Sequence, residues 1–322
     1  MAKHIEERAD AATAARERLK TFIAHPPEDA RLWGIRTTSG TTGGEPLIVP
    51  HHYPSMRGRI FKEEKRMLQC YGSMSSRLSF THLSHIRDTA DELVSLSLDG
   101  ADLGPGLDRA LDEFGADIII GYPSFVARVC ALMSAGARAR VVHVRLSGEF
   151  IDSGLRHLFE ERFANADTTS MYVSAETGRL STFPCGHLPL NRYHPAPGVT
   201  IEIAEPGDDG AGDILVSKDG REELVPFRRY RVGDTGRIVP GSCPCGEAVT
   251  FEVLGRSGHD YLKLAGAIVR REEVERVARR LGLREYFLEG SLKMRGNTPA
   301  GALELSIVPP EGAGEEAAAR LA

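Results

Sequence analysis

The feature that most constrains this chain is an alternation that begins near Gly104. Helix-periodic stretches at 107–114, 124–135 and 152–164 are interleaved with short β-branched runs at 117–121, 139–146 and 168–173. Alternating helices and apolar runs need crossover connections, so the pattern predicts a mostly parallel sheet with helices covering it. In such sheets ligands gather in the loops beyond the carboxyl ends of the strands. Three polar segments sit there: Tyr122-Pro123-Ser124, Ser147-Gly148-Glu149 and Ser174-Ala175-Glu176.

The flanking regions have a different texture. An Ala/Glu/Arg-rich amphipathic helix is predicted over 4–25, ended by His25-Pro26-Pro27. An extended piece at 32–36, a strand at 47–50 and a helix at 54–71 follow. From Cys185 onward, Gly/Pro-punctuated strands at 199–203, 213–216 and 250–254 predict a β-rich subdomain. After Gly255-Arg256 a smaller unit begins, with a strand at 261–264, a helix at 271–281 and a strand at 302–308. The expected fold class is α/β. A large N-terminal domain (1–256) would combine parallel sheets and helices with the β-rich subdomain, and 257–322 would form a short, truncated α+β domain.

Composition narrows the function classes. At 322 residues the chain suits two domains, and 41% hydrophobic with 26% charged residues excludes disorder, collagen and coiled coil. Forty Lys and Arg against 45 Asp and Glu leave a net charge of −5, without the basic excess of a nucleic-acid binder. The longest apolar runs are a handful of residues, the first residues lack the apolar core of a secretory signal, and five cysteines make no disulfide framework. The expectation is a cytoplasmic protein with no membrane and no nucleic-acid partner.

Three short constellations carry chemistry. Thr38-Ser39-Gly40-Thr41-Thr42-Gly43-Gly44 packs hydroxyls and glycines into one loop, where backbone N–H and side-chain O–H groups can cradle phosphate oxygens. It lacks P-loop spacing, and Gly/Ser/Thr composition alone reads first as a flexible surface loop. Tyr172-Val173-Ser174-Ala175-Glu176-Thr177-Gly178 sets a carboxylate after a strand, suited to Mg²⁺ shared with substrate phosphates or to a solvated loop. In Tyr230-Arg231-Val232-Gly233-Asp234-Thr235-Gly236 a carboxylate in a Gly-flanked turn suits ribose hydroxyls, or simply marks a hairpin. No Gly-x-Ser-x-Gly elbow occurs, which disfavours Ser/His hydrolysis.

In this order, and with Gly255-Arg256-Ser257-Gly258-His259-Asp260 and Arg271-Glu272-Glu273-Val274-Glu275, these motifs resemble the ANL adenylate-forming superfamily, most of all its phenylacetate–CoA ligase branch. The resemblance runs from about Arg36 to Glu275. It implies that Thr38, Ser39, Gly40, Thr41, Thr42 and Gly43 hold the ATP phosphates, with Thr41 and Glu176 catalytic and Glu176 the Mg²⁺ carboxylate. Ser147, Gly148 and Glu149 would line the adenine site with Tyr172 stacking nearby, Asp234 would bind ribose, and Arg256 the ribose or phosphate side. Tyr122, Pro123, Ser124 and His82 would border the acyl pocket, and Asp260 would be the hinge. The implied reaction is ATP-dependent activation of a carboxylic acid, aromatic by the branch, as acyl-AMP. Transfer to a thiol would follow, with coenzyme A as acceptor, or a carrier protein or amine in its place. A homodimer is also implied.

This sequence departs from the family pattern in several places. Gly43-Gly44-Glu45-Pro46 stands where the family loop carries Gly-Lys-Pro, Val173 replaces a Gly, and Ala175 replaces a Thr or Ser. The family's adenylation lysine lies well beyond the strand at 302–308, and no lysine follows Lys293. These departures motivate a rival expectation, a zinc-stabilised nucleotide-binding relative without adenylation activity that serves as a partner subunit.

Cys185-Gly186-His187 and Cys243-Pro244-Cys245 form two short chelating pairs in Gly/Pro turns. Four such ligands would make a closed tetrahedral zinc site, structural rather than catalytic, because no position stays open for water. The expected set is Cys185, His187, Cys243 and Cys245, with His194 the alternative fourth ligand. Some relatives in the branch carry a structural zinc on a similar layout. Cys70 and Cys130 read as ordinary buried thiols.

Overall fold

The computed structural model describes residues 5, 7–26, 33–37, 48–52, 66–72, 94–99, 102–151, 153–174, 176–182, 185–218, 227–256, 261–264, 267–280, 286–295 and 298–307. In chain order the elements begin with α1 (Arg8–Ala24), β1 (Trp33–Thr37), β2 (Ile48–His52), β3 (Arg66–Gly72), β4 (Val94–Asp99), α2 (Leu107–Phe114) and β5 (Ile118–Gly121). Next come α3 (Pro123–Leu132), α4 (Ala135–Arg140), β6 (His143–Ser147), α5 (Ser153–Arg162), β7 (Asp167–Met171), β8 (Val173–Ser174), β9 (Gly178–Arg179) and β10 (Arg192–Tyr193). The chain continues through β11 (Val199–Ala204), β12 (Gly212–Lys218), β13 (Phe227–Val239), β14 (Thr250–Arg256), β15 (Tyr261–Leu264), β16 (Ala267–Arg270), α6 (Arg271–Arg280), β17 (Tyr286–Arg295) and β18 (Thr298–Ile307).

The alternating region folds into a five-stranded sheet in the order β4-β3-β5-β6-β7, parallel throughout. Ile118, Ile119 and Ile120 are all buried, which explains why β5 reads as a continuous apolar run: side chains of both phases meet a covering layer. On one side the core gathers Ile119, Val144, Leu146, Val126, Val129 and Phe159. A smaller cluster of Met67, Tyr71, Ile118 and Ile120 forms on the other.

Two expectations are corrected here. The helix over 54–71 is replaced at its end by β3, which lies between β4 and β5, while 53–65 lie outside the described residues. Its run Arg66-Met67-Leu68-Gln69-Cys70 has no decisive period of its own, and backbone pairing on both edges with full burial of Met67 to Tyr71 decides its state. The strand over 139–146 starts later, at His143, because Ser134 caps α4 by accepting from the Ala137 N–H at 3.1 Å.

The second sheet is antiparallel, β10-β14-β13-β12-β11, over a core of Leu180, Tyr193, Ile214, Val216, Tyr230 and Phe251. α1 sits against it: Ala14 packs on this core and Glu7 accepts from Arg231 Nε at 3.1 Å. Three further antiparallel pairs complete the described strands, β1 with β2, β15 with β16 and β17 with β18, and β8 pairs briefly with β9. The mixed α/β class with parallel and β-rich parts is as the sequence predicts. No helix among the described residues is long and apolar enough to cross a membrane.

Candidate nucleotide site and metal cluster

β3 and β5 form the topological switch point of the parallel sheet, since the chain leaves β3 for β4 on one side and returns to β5 on the other. A crevice opens at the carboxyl ends of two such strands. The two backbones approach closely there: a Cβ at Gly121 would stand 2.2 Å from the Cys70 carbonyl oxygen, so only glycine fits. Immediately beyond, Tyr122 meets Tyr71 edge to face, with centroids 5.3 Å apart at 89°. The Tyr71 hydroxyl lies 3.4 Å from Ser147 Oγ at the end of β6. Pro123 occupies the first turn of α3, where its missing N–H costs nothing. The next amide, Ser124 N–H, donates to Glu149 Oε2 at 3.0 Å, so the Glu149 carboxylate lies at the positive end of that helix. The left-handed Gly148 (φ +82°) makes the turn that returns Glu149 toward it. Candidate acyl-pocket residues Tyr122, Pro123 and Ser124 and adenine-side residues Ser147, Gly148 and Glu149 thus share one rim.

The next strand contributes the charged part. Ser147 is the register partner of Met171, so Tyr172 follows directly beside this rim. Its ring is buried, stacked on Tyr193 at 5.8 Å and 26° and edge-on to Phe251 at 5.9 Å. Its hydroxyl donates to Asp234 Oδ2 at 2.5 Å, and Arg256 Nη1 lies 3.1 Å from Asp234 Oδ1. The same Nη1 donates to the Val232 and Gly233 carbonyls, which ties Arg256 to the Asp234 turn. Burial pushes the Asp234 carboxyl above its ordinary value, Arg256 and the Tyr172 hydroxyl pull it back, and Glu176 pushes it up again. Burial also holds the Tyr172 hydroxyl well above its ordinary range, so it stays a proton donor. Glu176 sits in the turn between β8 and β9, where Ser174 Oγ donates to its Oε2 at 2.8 Å and accepts from its N–H at 3.2 Å.

The structure therefore brings Tyr172, Asp234 and Arg256 into contact and sets Glu176 within electrostatic reach. Thr38, Ser39, Gly40, Thr41, Thr42, Gly43, His82 and Asp260 lie outside the described residues; Thr37 pairs with Ile48 at the ends of the strands that flank the first six. Sequence reasoning missed Tyr71, Tyr193 and Lys218. The first two carry no motif. Lys218 did have a signal: it shares the strand phase of the buried Ile214 and Val216, so its stem points inward.

The cysteine pairs converge, with one correction. The Cys185, His194, Cys243 and Cys245 ligand atoms all lie within 4.8 Å of one another, and His187 is not in the group. The Cys185–Leu188 turn leaves His187 exposed, whereas His194, next to Tyr193, is buried. Cys185 and Cys243 sulfurs are 3.7 Å apart, and Cys245 Sγ is 3.3 Å from His194 Nε2. Zinc–sulfur bonds of about 2.3 Å in a tetrahedron put sulfurs about 3.8 Å apart, so the residues fit such an ion. His194 Nδ1 lies 2.7 Å from the Val249 carbonyl, an arrangement that places the proton on Nδ1 and leaves Nε2 to bind metal. The Glu247 amide leads in pulling the Cys245 thiol down to about 7. The Cys245 amide lowers Cys243, but desolvation and the neighbouring thiols outweigh it and push that thiol up to about 11. A readily ionised Cys245 beside a reluctant Cys243 is a pairing that a cation would resolve.

No family model matches the sequence, and no curated protein is detectably similar to it. Solved structures do share its fold. A 2-hydroxyisobutyryl-CoA ligase in complex with 2-HIB-AMP and CoA is 16% identical, with TM-score 0.62 over 99% of this chain and 72% of that one. An o-succinylbenzoate CoA synthetase from Bacillus subtilis is 17% identical (TM-score 0.55), covering 87% of this chain and 60% of its own. An NRPS protein containing adenylation and PCP domains is 18% identical (TM-score 0.55), covering 89% and 62%. The chain has the mixed α/β fold of these adenylate-forming enzymes.

Proposed function

We infer that this chain binds ATP at the Tyr172–Asp234–Arg256 site and activates a carboxylic acid as acyl-AMP. In the reaction the carboxylate oxygen bonds to the α-phosphorus, the bond to the β-phosphate oxygen breaks, and pyrophosphate leaves. Asp234 would accept hydrogen bonds from ribose hydroxyls, and Tyr172 and Arg256 would hold it in place. Glu176 would bind Mg²⁺, which offsets phosphate charge. Most of the catalysis is then positioning and electrostatics. The observation that carries this reading is the Asp234 carboxylate, held by Tyr172 and Arg256 beside Glu176 at the carboxyl edge of a parallel sheet. The fold shared with the CoA ligases above supports it, and the CoA bound in the 2-hydroxyisobutyryl-CoA ligase supports coenzyme A as the acceptor. A carrier protein is the alternative acceptor, in line with the PCP-containing neighbour. The Tyr71–Tyr122 pair at the crevice supports an aromatic acid and the phenylacetate–CoA ligase-like assignment. Residues 257–322 would form the mobile domain, with Asp260 as hinge. Cys185, His194, Cys243 and Cys245 would hold one structural zinc that pins their loops, with no role in bond making.

ATP–pyrophosphate exchange across a panel of aryl and alkyl acids tests this reading. Acid-dependent exchange supports it, and its absence with every acid overturns it. A second reading rests on Gly43-Gly44-Glu45-Pro46, where the loop lacks a lysine: the chain binds nucleotide without turning it over and serves a partner. Calorimetric AMP or ATP binding with no exchange would select that reading.

A further inference from the structure

The turn that carries Glu176 is poorly held by its own strands. β8 and β9 contribute two residues each, paired Val173 with Arg179 and Ser174 with Gly178, and so short a ladder is marginal alone. Gly178 lies in the left-handed region at φ +71°, so the chain reverses sharply just past Glu176. What fixes the turn from below comes from the other sheet. Lys218, the last residue of β12, is 6% exposed, and its Nζ donates to the Thr177 carbonyl at 3.1 Å and the Arg179 carbonyl at 3.3 Å. From above, Ser174 Oγ accepts from the Glu176 and Thr177 amides. The ammonium thus binds backbone on both sides of Gly178, and the hydroxyl binds it on the Glu176 side.

We propose that Lys218 is the positioning residue for Glu176, its buried ammonium clamping the Thr177 and Arg179 carbonyls so that the carboxylate is presented to the metal–phosphate group. A buried lysine is rarely tolerated without such partners, and charge-assisted bonds to carbonyls are stronger than neutral ones. Its side chain reaches the turn across about forty residues of chain, so it couples β12 to a segment that local pairing leaves loose. The proposal rests on the reading of Glu176 as the Mg²⁺ carboxylate, and Lys218 touches neither substrate nor metal in it.

The test compares the full chain with Lys218→Met and Lys218→Gln. In Lys218→Met, amide exchange of residues 176–180 should quicken about tenfold, the worth of roughly one charge-assisted hydrogen bond. The Mg²⁺ concentration for half-maximal pyrophosphate exchange should rise about as much, while metal-free AMP affinity stays within about twofold, because Asp234 is held independently. Lys218→Gln keeps a neutral donor and should show the same split at a smaller size, and it carries the test if the Met variant does not fold. Unchanged amide exchange in either folded variant overturns the proposal, as does a fall in AMP affinity equal to the change in Mg²⁺ response. If the wild type shows no pyrophosphate exchange, the functional reading fails, and the amide exchange still decides the role of Lys218.

Discussion

The two sheets solve different problems. In the parallel sheet, β3 and β5 are clad on both faces, and the first residues to meet the crevice are uncharged: Tyr71, Gly121, Tyr122 and Ser147. In the antiparallel sheet, Lys218 is buried, Asp234 is largely buried and Arg256 is exposed at the strand end, and each is paired with a neighbouring strand or turn. The first sheet supplies a rigid edge, and the second delivers charge to it. Parallel strands buried on both faces leave little room for ionic side chains. An antiparallel sheet with one packed face can hold ions at its margin.

That division can be broken by experiment. The largest effect belongs to the apolar side: Phe159→Ala should cost about 3–5 kcal/mol of stability, since the ring is fully buried beneath the parallel sheet. Denaturant unfolding reads it, and nucleotide affinity per folded molecule should stay constant. A large affinity loss would show that scaffold and site are not separable. Next is the metal cluster: His194→Ala should lose bound zinc, by elemental analysis, and lower the unfolding temperature, while His187→Ala does neither. Equal effects at both would remove the correction made to the ligand set.

Asp234→Asn should weaken AMP binding about 10- to 100-fold, the usual worth of hydrogen bonds to a charged group, with calorimetry as the readout. Tyr172→Phe should cost less, about threefold to tenfold, because Arg256 still holds the carboxylate. The smallest effect is on pH. Burial raises the folded-state pKa of Asp234, so the native state keeps its proton longer than the unfolded chain. Stability from this group is therefore full below the ordinary carboxylate value of 3.8 and falls as pH climbs through the raised one. Wild type should lose stability relative to Asp234→Asn over that interval when midpoints are compared at stepped pH. A gap that widens toward acid in favour of the variant would show that Arg256 outweighs burial.

The same contrast sets what could be read from the sequence. β5 was legible because burial on both faces leaves an apolar signature in the chain itself; β6 and β7, which carry polar residues, were legible from their alternation with helices. That Asp234, Arg256, Tyr172 and Glu176 are neighbours was legible through the order of their motifs. β3 was not, since its state depends on pairing with β4 and β5, from separate parts of the chain. Tyr193 acts through a contact tens of residues away, and although the strand phase of Lys218 points its stem inward, its partners about forty residues away are encoded by no local pattern. The choice between His187 and His194 turned on which side chain folds inward, and Cys-x-His spacing does not contain that.

His194 and Tyr193 are consecutive residues with opposite duties: one ring faces the cysteines, the other lies under the ring that holds Asp234. On the proposed reading, a compound that strips zinc from the cluster would disturb Tyr193, and through it the Tyr172 ring that holds Asp234, without touching Asp234 itself. In a screen for ligands of this protein, chelators would register as nucleotide competitors. Displacement of a labelled nucleotide becomes interpretable only when zinc content is followed in the same samples.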